Sequence, residues 1–306
     1  MVYQHNALLL GSTLIAFGPT VSLFFTICYS QATLVIVFTC CAFCCLIAIF
    51  LSSLLYAAVD AIIPGSVYGG VLIVISIVCQ AGCRAVFVRY YMKVEEAIEI
   101  SIQNSLRANN NSDGSVASGT GNENVNDQPA MALNDMSSAL AAGTGYGFMH
   151  AVMLCGTLLA SEAGDDVGTL YQDSCSDIPS VINTAMTAMM FSLLDILLMY
   201  LYFFAVRRKI DVTTDVLSYD GTISDVNFKH SSKMKKPENV IGVALIVHSL
   251  ASFISMTNDI KDGCYFALPT EFGVVLVTAF YLKMFLMPSF LPEKQRILLN
   301  RYSHIE

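Results

Sequence analysis

The stretch "LAAGTGYGFMHAVMLCGTLLA", Leu140 to Ala160, is predominantly apolar yet holds glycines four residues apart, where glycine ordinarily weakens a helix. Gly143, Gly147 and Ala151 stand at i, i+4 and i+8, so a helix places all three on one stripe. Lipid gives helices no hydrophobic reason to associate, and small-xxx-small faces supply packing in its place by letting backbones approach closely. The stripe therefore reads as a groove for another helix, either within this bundle or from a partner protein.

The rest of the chain places this segment in a membrane. It has 306 residues, 55% of them hydrophobic and only 13% charged, and its mean hydropathy is +0.61. A soluble core needs far less apolar material. Crossing about 30 Å of hydrocarbon takes roughly 20 apolar residues as a helix. Seven such windows occur: Ala7 to Cys28, Ala32 to Val59, Val67 to Val88, Ala139 to Ala160, Ser180 to Val206, Val240 to Thr257 and Leu268 to Phe290. The reading is an all-α polytopic membrane protein whose residues 1–306 form a single seven-helix domain. The first window lacks the basic flank and the cleavage site of a signal peptide and is expected to be a retained span.

Short loops rich in Lys and Arg stay cytoplasmic. Arg89, Lys93 and Arg107 follow span three, Arg207, Arg208, Lys209, Lys229, Lys233, Lys235 and Lys236 follow span five, and Lys294, Arg296 and Arg301 follow span seven. The opposite side carries Lys261 among many acids, including Asp60, Glu162, Asp165, Asp177 and Asp262. The expectation is N-out and C-in with an acidic outer face, so the net charge of −8 is not one patch. On that topology Cys175 and Cys264 fall in outer loops, and a disulfide between them is expected. The cluster "TCCAFCC" around Cys40 to Cys45 lies inside an apolar span, where thiolates are costly; polarizable packing is the favoured reading, with palmitoylation of Cys28 or Cys40 as the other.

Between the spans, Tyr90, Val94, Ile98, Ile102 and Leu106 recur every four residues, so span three is expected to run on into the cytosol as an amphipathic helix. A disordered cytoplasmic loop is expected over about 107–138, where "NNNSDGSVASGTGNENVNDQ" has almost nothing to bury, and a polar cytoplasmic loop over about 207–239. The sequon at Asn110 should carry no glycan if that loop is cytosolic.

Polar groups at membrane depth are the rarer signal. Counted at about 1.5 Å per residue from the cytoplasmic ends, His150 and Asp195 lie roughly 16 Å deep and His248 roughly 12 Å. An ionised Asp195 at that depth needs hydrogen bonds or an imidazolium, so His248 or His150 is the expected partner. The same set could bind a metal or relay protons, although three ligands scattered over three helices make a weak metal pattern, and a structural hydrogen-bonded cluster is favoured. Gln80 and Arg84 fall one turn apart near the inner end of span three, where the guanidinium could bridge helix ends or lipid phosphates. Nothing points to catalysis, a metal, a cofactor or nucleic acid: HExxH, GxSxG and GxGD are absent, "YDG" at Tyr219 to Gly221 lies in a polar loop, and a lone Asp195 lacks the second carboxylate of an aspartyl protease.

Several segments together resemble the anterior-pharynx-defective (Aph) family, the seven-span subunit of the gamma-secretase complex. They are "FGP" at Phe17 to Pro19 followed by "TVSLFFT", "QAGCRAVFVRYYMKVEEA" from Gln80, the "GTGYG" run, and "ALIVHSLASFISMTN", which puts His248 on the family's second intramembrane histidine. The chain departs from the family where Asp195 stands at the position of a usual histidine, in lacking tryptophan, and in its longer cytoplasmic loops. The resemblance implies a non-catalytic scaffold that assembles with presenilin, nicastrin and presenilin enhancer and supports presenilin maturation. It also implies proteolysis of membrane proteins such as Notch-type receptors, in endoplasmic reticulum, Golgi and plasma membranes. Under it Gly143, Gly147 and Ala151 would pack a helix, and Asp195 and His248 would fix the bundle that receives presenilin. A seven-span receptor or small transporter is the competing class; neither an acidic residue before "VRYY" nor an internal repeat supports it.

Overall fold

The computed structural model describes residues 2–62, 69–112, 135–162, 171–172, 175–218 and 237–286. Long apolar runs with proline inside only two of the helices fold as eight α-helices among the described residues. In lipid this is the expected outcome, because every backbone polar group must find its partner within the segment. The helices are α1 (Val2–Leu23), α2 (Ala32–Ile62), α3 (Gly69–Ser112), α4 (Asp135–Ala151), α5 (Thr157–Glu162), α6 (Ser180–Ser218), α7 (Pro237–Ser255) and α8 (Cys264–Tyr281). Between α5 and α6, β1 (Tyr171–Gln172) pairs antiparallel with β2 (Cys175–Pro179), a small hairpin that the periodicity did not announce.

Six stretches among the described residues are helical, long and apolar enough to cross a membrane: Ala7–Cys28, Ala32–Ile62, Gly70–Ile98, Ser180–Arg207, Asn239–Asn258 and Cys264–Met284. They coincide with six of the seven expected windows. The remaining window, 139–160, is helical from Asp135 to Glu162, since α4 passes through a π-helical turn, Val152–Gly156, into α5 with the backbone right-handed at both junctions. The expected loops are shorter than read. Helix α3 continues to Ser112, α4 begins at Asp135, α6 continues to Ser218 and α7 begins at Pro237. The stripe on α3 and the charges after span five carry helix further than an apolar window shows, and what is left of both expected loops, 113–134 and 219–236, lies outside the described residues.

Helix α6 is the axis of the bundle. Within its membrane-crossing window 78% of residues are buried, against 17% for α1. Helix α4 is held between α6 and α2, and the glycines explain how. A Cβ on Gly143 would lie 2.7 Å from the Ile196 Cα, and one on Gly147 2.6 Å from the Ser192 carbonyl oxygen. Gly145, two residues from each, points the other way, and a Cβ there would collide with the Phe38 carbonyl oxygen of α2. Helical geometry puts residues i and i+2 about 200° apart, so the alternating glycines thin α4 on opposite sides. The Ser192 hydroxyl donates to the Gly147 carbonyl at 2.9 Å, fastening the closest approach. Ala151 continues the stripe into a fully buried cluster with Ala16, Cys155, Ala185 and Ala188, where α1 joins α4 and α6.

Candidate functional site

Four helices bring buried polar side chains to one level. Helix α3 supplies Gln80 and Arg84, α4 supplies Tyr146 and His150, α6 supplies Asp195 and α7 supplies His248, and all six are buried. Arg84 and Asp195 form an ion pair at 0% and 1% side-chain exposure. The second carboxylate oxygen of Asp195 receives the His150 Nδ1 at 2.7 Å. Arg84 Nη2 also donates to Gln80 Oε1 at 3.3 Å, and Gln80 Nε2 donates to Ser76 Oγ at 3.1 Å. The guanidinium carbon lies 4.2 Å from the centre of the Tyr146 ring, a cation–π contact strengthened by the absence of water.

Hydrogen-bond chemistry assigns the protons. Arginine has no acceptor, so the His248 Nδ1, 3.3 Å from Arg84 Nη1, must accept; that ring carries its proton on Nε2 and is neutral. Asp195 accepts at both oxygens, as an ionised carboxylate does, so His150 Nδ1–H is the donor to it. The cluster thus joins a guanidinium and a carboxylate to hydrogen-bonding side chains, with each of the two charges paired. Burial of a charge is tolerable on those terms and on few others.

Of the two expected partners of Asp195, His150 is hydrogen-bonded to it, whereas His248 reaches it only through Arg84. The expected place of Arg84 is corrected. It does not reach lipid phosphates, because its side chain is fully buried inside the bundle and paired with Asp195. The signal that could have revealed the pair was charge: Asp195 and Arg84 are an acid and a base that both fall inside apolar windows, where charged residues are rare. The Gly143 and Gly147 stripe is filled by α6 of the same chain, and Gly145 and Tyr146 are interior residues that the single-stripe reading passed over.

Other expected residues are also placed. Cys175 of β2 and Cys264 of α8 are disulfide-bonded with their Cα atoms 5.8 Å apart, and next to them the Tyr265 hydroxyl donates to Asp177 Oδ2 at 2.9 Å. Cys41 and Cys45 of the cysteine-rich segment are fully buried in the core. Among the described residues no three His, Cys, Asp or Glu side chains group so as to hold a metal ion. At the far end of the bundle Arg207 of α6 donates to Glu95 of α3 at 2.6 Å, and Tyr91 of α3 donates to Ser138 of α4 at 2.7 Å.

Comparison with known proteins gives this arrangement a family. The model of the Aph-1 protein family matches residues 7–287, which takes in every helix that builds the cluster. The chain belongs to the Aph-1 family. A protein of Arabidopsis thaliana described as "Gamma-secretase subunit APH1-like" is 25% identical over 152 residues, covering 49% of this chain and 49% of that relative. The chain thus spans about half the length of the curated relative it matches.

Proposed function

We propose that this Aph-1 family chain is a non-catalytic scaffold and assembly subunit of a gamma-secretase, an intramembrane aspartyl protease complex. The observation that carries the reading is the family match over 7–287 joined to a buried centre whose two charges, Arg84 and Asp195, are paired with each other. Arg84, Asp195, His150 and His248 tie α3, α4, α6 and α7, and Gly143, Gly147 and Ala151 seat α4 on α6 and α1. A rigid bundle of this kind presents fixed outer faces to neighbouring subunits. Its partners are presenilin, nicastrin and presenilin enhancer, and its role is to support presenilin maturation and cleavage of membrane proteins such as Notch-type receptors. The small-residue stripe contributes by holding the bundle's shape, since α6 already occupies it. The chain crosses the membrane seven times, N-out and C-in, along the secretory route to the plasma membrane. A gentle-detergent pull-down of the tagged protein from its native cells tests the reading. Presenilin and nicastrin should co-purify in near-equal amounts; a monomer free of both would overturn it.

A further inference from the structure

A groove of about 480 Å³ opens where α8 meets α6 beneath β2. Its walls are Met186 and Met190 of α6, Leu268 and Phe272 of α8, and Ile178 of β2, with Tyr265 at its mouth. Phe272 and Tyr265 are about half exposed, so the groove faces outward. It occupies the first three turns of the two membrane-crossing stretches that begin at Ser180 and Cys264. Both stretches are long and apolar enough to cross a bilayer, and the flexible thioether chains of Met186 and Met190 adapt to a ligand of irregular shape. The rim differs sharply. Asp177 lies three residues before the α6 crossing stretch, is exposed, and accepts the Tyr265 hydroxyl at 2.9 Å. Lys261 and Asp262 stand on the α7–α8 turn just before Tyr265 in the chain.

We propose that this groove binds one phospholipid whose headgroup carries a choline or ethanolamine cation. The acyl chain lies between Met190 and Phe272, and the cation sits against the Tyr265 ring and the Asp177 carboxylate. An apolar trough ending in an aromatic ring and a carboxylate at headgroup level is complementary to such a molecule along its whole length. An aromatic face is a common receptor for quaternary ammonium groups. The carboxylates of Asp177 and Asp262 set the site against anionic headgroups. The disulfide from Cys175 to Cys264 and the Tyr265 hydrogen bond fix the rim relative to the trough, so the two halves of the site are held in register.

The full-length chain would be reconstituted in vesicles of equal phosphatidylcholine and phosphatidylglycerol, extracted in mild detergent, and its retained lipid identified by native mass spectrometry. One phosphatidylcholine per chain is expected, and Met190→Trp should abolish its retention by filling the trough. Asp177→Asn combined with Tyr265→Leu should lower the preference for phosphatidylcholine by roughly two- to fivefold, the value of an exposed cation–π contact. A diazirine amino acid placed at Met190 gives a readout in the otherwise unaltered groove; it should label lipid in the native complex. Equal retention of the two phospholipids, retention undiminished by Met190→Trp, or labelling of a protein segment at Met190 would each overturn the proposal.

Discussion

Arg84 and Asp195 are stabilised by each other far more than by their surroundings, and so their energetics are strongly asymmetric. Removing one member leaves the other as an uncompensated charge in a dry interior, at a cost of about 3–5 kcal/mol. Replacing both with apolar residues of similar size is close to neutral. Asp195→Leu should therefore unfold the bundle far more readily than Arg84→Met combined with Asp195→Leu. Labelling of the buried thiols, Cys41 and Cys45 among them, by a fluorescent maleimide during a thermal ramp, after the exposed Cys40 has been blocked in the folded protein, would measure both. A double variant as unstable as the single one would contradict the pairing described here. His248→Phe removes an acceptor from a guanidinium that keeps three other partners, so a smaller loss, about 1–3 kcal/mol, is expected in the same assay. At this scale the sequence was half legible. Asp195 at membrane depth calls for a polar partner, and His150 lay at the same depth. Which base meets it depends on how α3 and α6 are rotated against each other across 111 residues of chain, and no local pattern encodes that.

For the helices, the decisive quantity is the distance between backbones. Gly143 and Gly147 allow α6 to approach one side of α4, and Gly145 allows α2 to approach the other. Since the obstructing atoms are backbone, added side chains cannot be accommodated by a rotamer change. Gly147→Leu should separate α4 from α6 and lower recovery of the complete complex in a pull-down. Gly145→Ala should loosen the α2 contact at a cost of about 1–3 kcal/mol. Gly82→Ala in α3 provides the control: a Cβ there meets nothing within 4 Å, and the change should be neutral or stabilising by up to about 1 kcal/mol. Resistance to unfolding in mixed micelles, followed by circular dichroism, would rank the three. The opposite-facing pair of contacts could have been read from the spacing, since 143 and 147 share a face that 145 cannot. The π-helical turn between α4 and α5 leaves no comparable mark, because it arises where packing makes a straight helix yield.

In the bundle as a whole, hydropathy identifies which segments enter the membrane but not which of them lies at the centre. Helix α2 has the highest mean hydropathy of the crossing stretches, 3.0, yet only 33% of its window is buried; α6, at 2.0, is the axis. Lipid tails are as apolar as a protein core, so the most hydrophobic helix gains nothing from the interior, whereas small and polar residues are drawn inward for packing and hydrogen bonds. The end of the bundle that carries the hairpin is tied covalently as well. The Cys175–Cys264 bond closes a chain separation of 89 residues, and replacing both cysteines with serine should cost about 2–5 kcal/mol, visible as a lower midpoint in the same thermal ramp. The ion pair at the centre also imposes an order on the protein's birth. Arg84 leaves the ribosome long before Asp195 does, and at about 5–20 residues per second that interval lasts roughly 6–22 seconds. During it α3 must enter the bilayer carrying an unmatched cation, against an insertion cost of about 2.5–3.5 kcal/mol that the apolar residues on either side, Val71 to Val78 and Ala85 to Val88, must offset. Nascent chains halted before α6 would hold α3 only loosely in the translocation channel, so that completion of the fifth hydrophobic segment is the event that commits the earlier ones to the membrane.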